Sequence, residues 1–252
     1  MNKLIRIASP IALIIFLIAL WWIIIVKSES LIFPSPWQVL SGTIELAEQG
    51  TLVNHIMSSL YRVGAGYLLA VIVAVPLGLV MGWFHGVFVT LNPIFQMLRP
   101  ISPIAWIPLA ILWFGIGDIA PVFLIFLSSL FPTIVETTAG VHTIERQYIR
   151  AAQNFGVTGF KLFRQVVIPA ALPHIIVGMR ISLGVAWLVV VAAEMIALRS
   201  GLGYLIIDSR NAGNRYDLVV AGMLIIGLTG LLLDSVIRRM ELLKEVRWKY
   251  AR

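Results

Sequence analysis

The chain has no cysteine among its 252 residues, so disulfides, thiol chemistry and any cysteine-held metal are excluded. Charge is scarce too: Asp, Glu, Lys and Arg supply 12% of positions and hydrophobic residues 60%, where a soluble domain carries about 25% charged residues. So little polar surface cannot cover a soluble globule, and the chain belongs in a lipid bilayer. Four histidines, His55, His85, His142 and His174, are scattered without ligand-like pairing, which argues against a metal site. No G-x-x-x-x-G-K-[ST] run occurs, so ATP is not bound here through a P-loop. No serine or threonine stands in a recognisable nucleophile motif, and no internal repeat or low-complexity tract is present. The expectation is a chain with no catalytic residue and no cofactor of its own, not an enzyme.

What is present is a series of uncharged runs, each measured against the roughly 20 apolar residues of one membrane crossing. They cover Pro10 to Val26, Val63 to Phe84, the Pro-rich interval between Arg99 and Asp118, Ile119 to about Val141, Ile175 to Leu198, and Leu218 to Leu233. This predicts an all-α membrane protein of about six transmembrane helices. The first run follows Lys3 and Arg6 but exceeds a signal-peptide core, and no A-x-A-like cleavage site follows it, so it reads as a retained anchor. Residues 1–52 form that anchor and an extracytoplasmic segment, 53–240 the main transmembrane domain with a polar loop at 142–174, and 241–252 a basic tail. Between the first two runs, a short amphipathic helix is expected from about Trp37 to Glu48. Leu40, Ile44 and Ala47 on one face would lie in the membrane interface or against other spans.

Basic residues orient the chain. With both termini on one side, that side receives 13 Lys and Arg, including Arg99, four in the 142–174 loop and six beyond Asp234; the other receives 5, with Arg62 among them. Both termini are therefore expected in the cytoplasm. The net charge of +7 then reads as a topology signal, with the tail free to touch anionic lipid, and not as a nucleic-acid surface.

The 142–174 loop carries RAAQNFGVTGFKLFRQVVIPAALP. Ala151 and Ala152 are small enough for close approach of a partner. Gly156 is a natural helix end with left-handed backbone, and Pro169 and Pro173 are each expected to break or kink a helix, ending the loop where the next span begins. The segment resembles the cytoplasmic loop of importer-type ABC permeases, written E-A-A-x3-G-x9-I-x-L-P. Arg150 stands for the glutamate, Val166 for the isoleucine and Ile168 for the leucine, with Pro169 closing the pattern. RPISPIAWIPLAILWFGIGD, LFPTIVETTAGV and AAEMIALRSGLGYLI extend the likeness to the branch that serves nitrate, bicarbonate, cyanate, taurine and alkanesulfonates.

The resemblance implies the type I importer fold in a bacterial plasma membrane. It also implies that the loop docks on a separate ATPase, where ATP and Mg would be bound. Two ATPase subunits, a second permease copy and an extracytoplasmic binding protein or lipoprotein would complete the assembly, moving a small anion by alternating access. Two other functions stay open at this point: a proton-coupled carrier using Glu194 and Asp234, and a membrane anchor that transports nothing.

Charges inside a bilayer are functional candidates because burying them is costly. Glu194 is the foremost, either facing the path or paired with Arg180 or a backbone amide; Arg180 lies about 21 Å away along the same helix, too far for a direct pair. Asp234 and Glu136 sit near span ends and can reach water. Trp106, Ser129 and Ser182 are further candidates for the path or its gate, and the neighbouring Ser128, Thr133, Thr137 and Thr138 serve equally well as helix stitches. Gly64, Gly66, Gly78 and Gly82 are expected to permit close helix contacts.

Overall fold

The computed structural model describes residues 3–28 and 33–240. Of the six basic residues beyond Asp234, Arg238 and Arg239 fall within them; the 241–252 tail, expected to touch lipid, lies outside the described residues.

Helix α1 (Lys3–Ser28) exposes apolar side chains from Ile11 to Val26 around most of its circumference, the signature of a helix surrounded by lipid. Its main neighbour is α2 (Pro36–Glu48). Ser35 starts α2 through a capping box: its hydroxyl accepts from Gln38 N–H while the Gln38 side chain accepts from Ser35 N–H. The α2 face that packs inward is Val39, Gly42 and Leu46; the Leu40–Ile44 face points outward. Gly42 allows the approach, since a Cβ there would stand 2.8 Å from Leu218 Cδ2.

Three long helices make the core. α3 (Thr51–Trp83) is followed by α4 (His85–Leu98), a short 3-10 turn at Pro103–Trp106 and α5 (Ile107–Phe114). α6 (Ile119–His142) lies between α3 and the later α9 (Ile168–Ala197) and packs most heavily against both. Small residues set these distances. A Cβ on Gly66, Gly78 or Gly82 would come within 2.5–2.8 Å of α6 atoms, at Val122 and Ile125, Thr137, and Val141 respectively. Gly140 and Gly178 do the same between α6 and α9. Gly64 has no neighbour within 4 Å and plays no such part. The end holding Arg62, Asp118 and Glu194 is called upper below; the end holding Trp83 and His142 is lower.

The third span differs from its expected form. The interval from Arg99 to Asp118 holds only α5 and the 3-10 turn, and α5 pairs with α4 across a bend of 81°. Pro100, Pro103 and Pro108 lack the N–H groups that a straight helix needs. The missing length comes from α4, whose residues climb α6 from below: Phe88 meets His142 at 5.0 Å and Phe95 meets Phe131 at 5.9 Å, ring centre to ring centre. α5 continues upward, with Trp113 and Phe114 against Phe123. Arg99 thus leaves the lower-end loop assigned to it and lies beside Phe131–Val135, midway along α6.

Below α6 come α7 (Arg146–Asn154) and α8 (Gly159–Leu162), then one π-helical turn at Phe163–Val167 that runs into α9. Pro169 and Pro173 do not end this segment. Ile168 N–H donates five residues back to Phe163 C=O, Pro169 follows in the first turn of α9, and Pro173 is carried inside the helix. Residues 159–196 therefore form one apolar rod of 38 residues, about 57 Å long at 1.5 Å per residue. α10 (Leu202–Asn211) and α11 (Tyr216–Met240) pack together and against α9. Among the described residues, four helices can cross a membrane by length and composition, and the bent α4–α5 pair makes five. The apolar run Ile11–Lys27 of α1 is shorter than these.

Candidate functional site

At the upper end, four elements meet on one buried ion pair. Arg62 of α3 and Glu194 of α9 are 3% and 0% exposed, with Nη1 2.7 Å from Oε1. Two unpaired charges at that depth would be very costly, and the surroundings supply every partner needed. Ser59 Oγ lies 2.9 Å from both carboxylate oxygens of Glu194, and Gly203 N–H donates to Oε2 at 3.0 Å. Arg62 also donates to Ser200 C=O and Ser200 Oγ, and its Nε reaches Asp118 Oδ1 at 2.8 Å. Leu202 N–H donates to Ser59 Oγ, and Gly201 N–H to His55 Nδ1.

The α9–α10 turn owes its shape to this cluster. Gly201 has φ +108°, and a Cβ there would lie 2.2 Å from the Glu194 carboxylate. A Cβ on Gly203 would lie 2.2 Å from Val191 C=O. Only glycine lets the turn close over the carboxylate. Glu194 is therefore paired inside the protomer, with a backbone amide as one partner and Arg62 as the other. Arg62 had the look of a flanking charge because it bounds an apolar run. The available signal was that Glu194 needs a cation, and Arg62 is one of the five basic residues assigned to that end. Ser59, Asp118, His55, Ser200, Gly201 and Gly203 gave no such signal individually.

Arg180 pairs instead with Asp234 of α11, Nε to Oδ1 at 2.7 Å, joining the lower halves of α9 and α11. Glu136 stands 3.9 Å from His174 Nδ1. Ser129 and Ser182 are fully buried in the seam among the core helices. Thr133 Oγ1 lies 3.0 Å from Ser182 Oγ, and Ser129 Oγ and Thr137 Oγ1 are without a partner. Trp106 is half-buried against Trp113, 6.4 Å between rings.

Near the α2–α11 contact, Arg215 bonds Glu45 Oε2 at 2.6 Å and Asp217 Oδ2 at 2.8 Å. Its guanidinium holds the Glu45 carboxyl below the usual glutamate range.

The lower end is arranged in the opposite way. α7 is exposed along Arg150 and Ala151, with Ala152 half-buried. It ends in a Schellman motif: Val157 N–H donates to Ala152 C=O at 3.0 Å and Gly156 N–H to Gln153 C=O at 2.9 Å. Gly156 takes φ +77°, the left-handed conformation that glycine accepts without strain. Phe155 is 88% exposed and Phe160 77%, with Tyr148 also outward. Below them the segment is rooted: Val167, Ala171 and Ile175 pack with Leu79 and Val141, supported by Phe163 and Trp83. Val166, Ile168 and Pro169 are half-buried at this root. A turn with large bare apolar side chains on a rigid base suits docking by another chain.

Residues 74–243, which hold the Arg150–Gly156 turn, the rod and Glu194, match the family of binding-protein-dependent transport system inner membrane components. The chain belongs to that family. It is a permease, the membrane-spanning part of an ATP-driven import system.

Related permeases cover most of its length. An ABC transporter permease from Methanocaldococcus jannaschii is 42% identical over 207 residues, 82% of this chain and 75% of the relative. The taurine transport system permease TauC of Escherichia coli is 35% identical, covering 94% and 88%. The nitrate import permease NrtB of Leptolyngbya laminosa is 33% identical, covering 94% and 87%. Among solved structures, a chain of the inward-facing MetNI methionine ABC transporter superposes with a TM-score of 0.61 at 18% identity, over 75% of this permease and 95% of that chain. That likeness establishes the type I importer fold for the permease.

Proposed function

We propose that two copies of this permease form the pore of an importer for a small oxyanion, such as a sulfonate, nitrate or bicarbonate. Two ATPase subunits drive it from the cytoplasmic side, where ATP and Mg are bound, and an extracytoplasmic binding protein or lipoprotein delivers the anion. The lower end, with Arg146, Arg150, Lys161, Arg164, Arg238 and Arg239, faces the cytoplasm together with both termini. The anion class is that of the taurine and nitrate relatives, taurine being itself a sulfonate.

One observation carries this reading: the exposed Arg150–Gly156 turn and the buried Glu194 cluster stand at opposite ends of a single 38-residue rod. Closure of the ATPase pair against Ala151 and Ala152 displaces the turn. Val166, Ile168 and Pro169 pass that displacement into α9, which bears on α3, α6 and α10 through Glu194, Arg62 and Ser59. A proton-coupled carrier is disfavoured because Glu194 and Asp234 are each held by an arginine.

The test is uptake into vesicles containing the permease with its ATPase and binding protein. Labelled taurine and nitrate should accumulate with internal or external ATP supplied at the ATPase face. They should not accumulate with a proton gradient alone. Uptake driven by the gradient without ATP would refute the importer reading.

A further inference from the structure

The break between α4 and α5 places an arginine beside the middle of α6, a helix long and apolar enough to cross a membrane. Arg99 caps α4, and Asn92 and Gln96 precede it by seven and three residues. On a helix these positions share one face, forming a stripe about 10 Å long at 1.5 Å per residue. The rest of that stretch is mostly apolar, with Leu91, Ile94, Phe95, Met97 and Leu98.

The three polar side chains line one open groove of about 510 Å³ with Phe95, Phe131 and Ile134, a volume within the roughly 300–1,000 Å³ of small-molecule sites. Among the described residues none of the three makes a hydrogen bond or ion pair with its side chain, and no carboxylate lines the groove. The inward face of α4, with Val87, Phe88, Leu91 and Phe95, is the one that packs on Ala74, Met81 and Ile134.

Two physical arguments make this groove a wet passage and not a lipid-facing surface. An arginine at mid-membrane is strongly disfavoured in hydrocarbon, and such residues face a bundle interior or a water-filled cavity. Irregular backbone at the same depth, here Arg99–Ser102, is tolerated only where it is covered by protein or lines such a cavity. The chemistry then selects the occupant. A guanidinium offers a planar fork of N–H donors that matches the oxygens of a sulfonate, nitrate or bicarbonate. The amides of Asn92 and Gln96 add donors on the same face, below the guanidinium.

We propose that Arg99, Gln96 and Asn92 form a station for the oxyanion in the translocation path, with Arg99 the principal ligand and the two amides receiving the anion on its way to the cytoplasm. This rests on the importer reading above. It also gives the path a location away from Glu194, whose carboxylate is enclosed within its own cluster. An anionic lipid headgroup offers the same oxygens, so the experiment separates the two sources.

The full complex of permease, ATPase and binding protein is reconstituted in vesicles of phosphatidylcholine alone, and in others with added phosphatidylglycerol. Labelled taurine and nitrate are supplied, and both anion uptake and ATP hydrolysis are measured. In both lipids R99Q should lower the number of anions moved per ATP by about tenfold, the equivalent of about 1.4 kcal/mol, while hydrolysis stimulated by the loaded binding protein persists. R99K, which keeps the charge, should retain most of the transport. Q96L and N92L should show smaller losses of the same kind.

The proposal is overturned if R99Q moves as many anions per ATP as wild type. It is overturned equally if uptake and hydrolysis fall together at constant ratio, which marks a structural role, or if the defect is confined to phosphatidylglycerol vesicles, which marks a lipid site. A wild-type complex that hydrolyses ATP but moves neither anion overturns the oxyanion reading itself, and this station with it.

Discussion

The two ends of the α9 rod solve opposite problems. At the upper end, Arg62, Glu194, Ser59 and the Gly201–Gly203 turn satisfy one another completely inside the protomer, and burial is nearly total. At the lower end, Phe155 and Phe160 stand bare around a well-formed helix stop at Gly156. A chain that can satisfy a buried guanidinium with four partner groups is not short of means to cover two phenylalanines. The difference teaches that the upper end is a joint closed within one subunit, whereas the lower end presents the bare apolar surface that the proposed ATPase docking requires.

Breaking the upper joint should have the largest effect on the protein itself. Glu194→Leu leaves Arg62 buried with only the exposed Asp118 as counter-charge, and removing one member of a buried pair costs about 3–5 kcal/mol. Thermal unfolding in detergent should show a large loss. Glu194→Gln keeps one oxygen, which can still accept from Gly203 and Ser59 while the NH2 group replaces the oxygen facing Arg62, so its loss should be smaller than that of Leu, on the order of 1–3 kcal/mol. The double variant Arg62→Leu, Glu194→Leu should be less damaging than Glu194→Leu alone; strict additivity in the cycle would show that the two residues are not coupled.

Next in size is Gly201→Ala. The added Cβ meets the Glu194 carboxylate and the residue must hold φ +108°, a strain of about 1–3 kcal/mol. Melting temperature should fall, and combining it with Glu194→Ala should recover part of the loss by removing the clash.

The smallest expected effect lies outside the membrane, at Glu45. Arg215 lowers the Glu45 carboxyl pKa, so the pair contributes stability above the ordinary glutamate value and loses it as pH falls through the lowered one. Both groups are accessible to water, and the contribution is small. Glu45→Gln should lower the melting temperature slightly at neutral pH and not at all at pH values below the carboxylate range. An equal deficit at both would show that the ion pair is not what ties α2 to α11.

The same contrast governs how much could be read without coordinates. The lower turn was legible because its information is local: alanines and a glycine at fixed spacing specify a helix and its stop. Helices α3, α6, α9 and α11 were legible from uncharged length. Three features were not. The 81° break was hidden because α4 and α5 are both apolar and only the prolines between them mark a bend, whose depth depends on how α4 climbs α6. Arg62 was hidden because a charge bounding an apolar run looks the same whether it meets water or a buried carboxylate 132 residues away. Pro169 and Pro173 read as stops, yet the π turn at Phe163–Val167 lets the helix continue through them. In each case a local signal was overruled by packing between distant segments.

The comparison of the two ends is tested most directly at Gly156. Nothing lies within 4 Å of a Cβ placed there, so Gly156→Val disturbs only the left-handed turn, at about 1–2 kcal/mol, and leaves the core untouched. Ala152→Trp adds bulk to the same surface, and Thr158→Ala is the matched control. The measurement is capture of the ATPase subunit by tagged permease, alongside ATP-dependent uptake. Gly156→Val and Ala152→Trp should insert in normal amounts yet lose the ATPase and lose uptake, while Thr158→Ala keeps both. Retention of the ATPase and of transport by both variants would contradict the account, because the lower end would then not be the half-built joint that its exposed surface indicates.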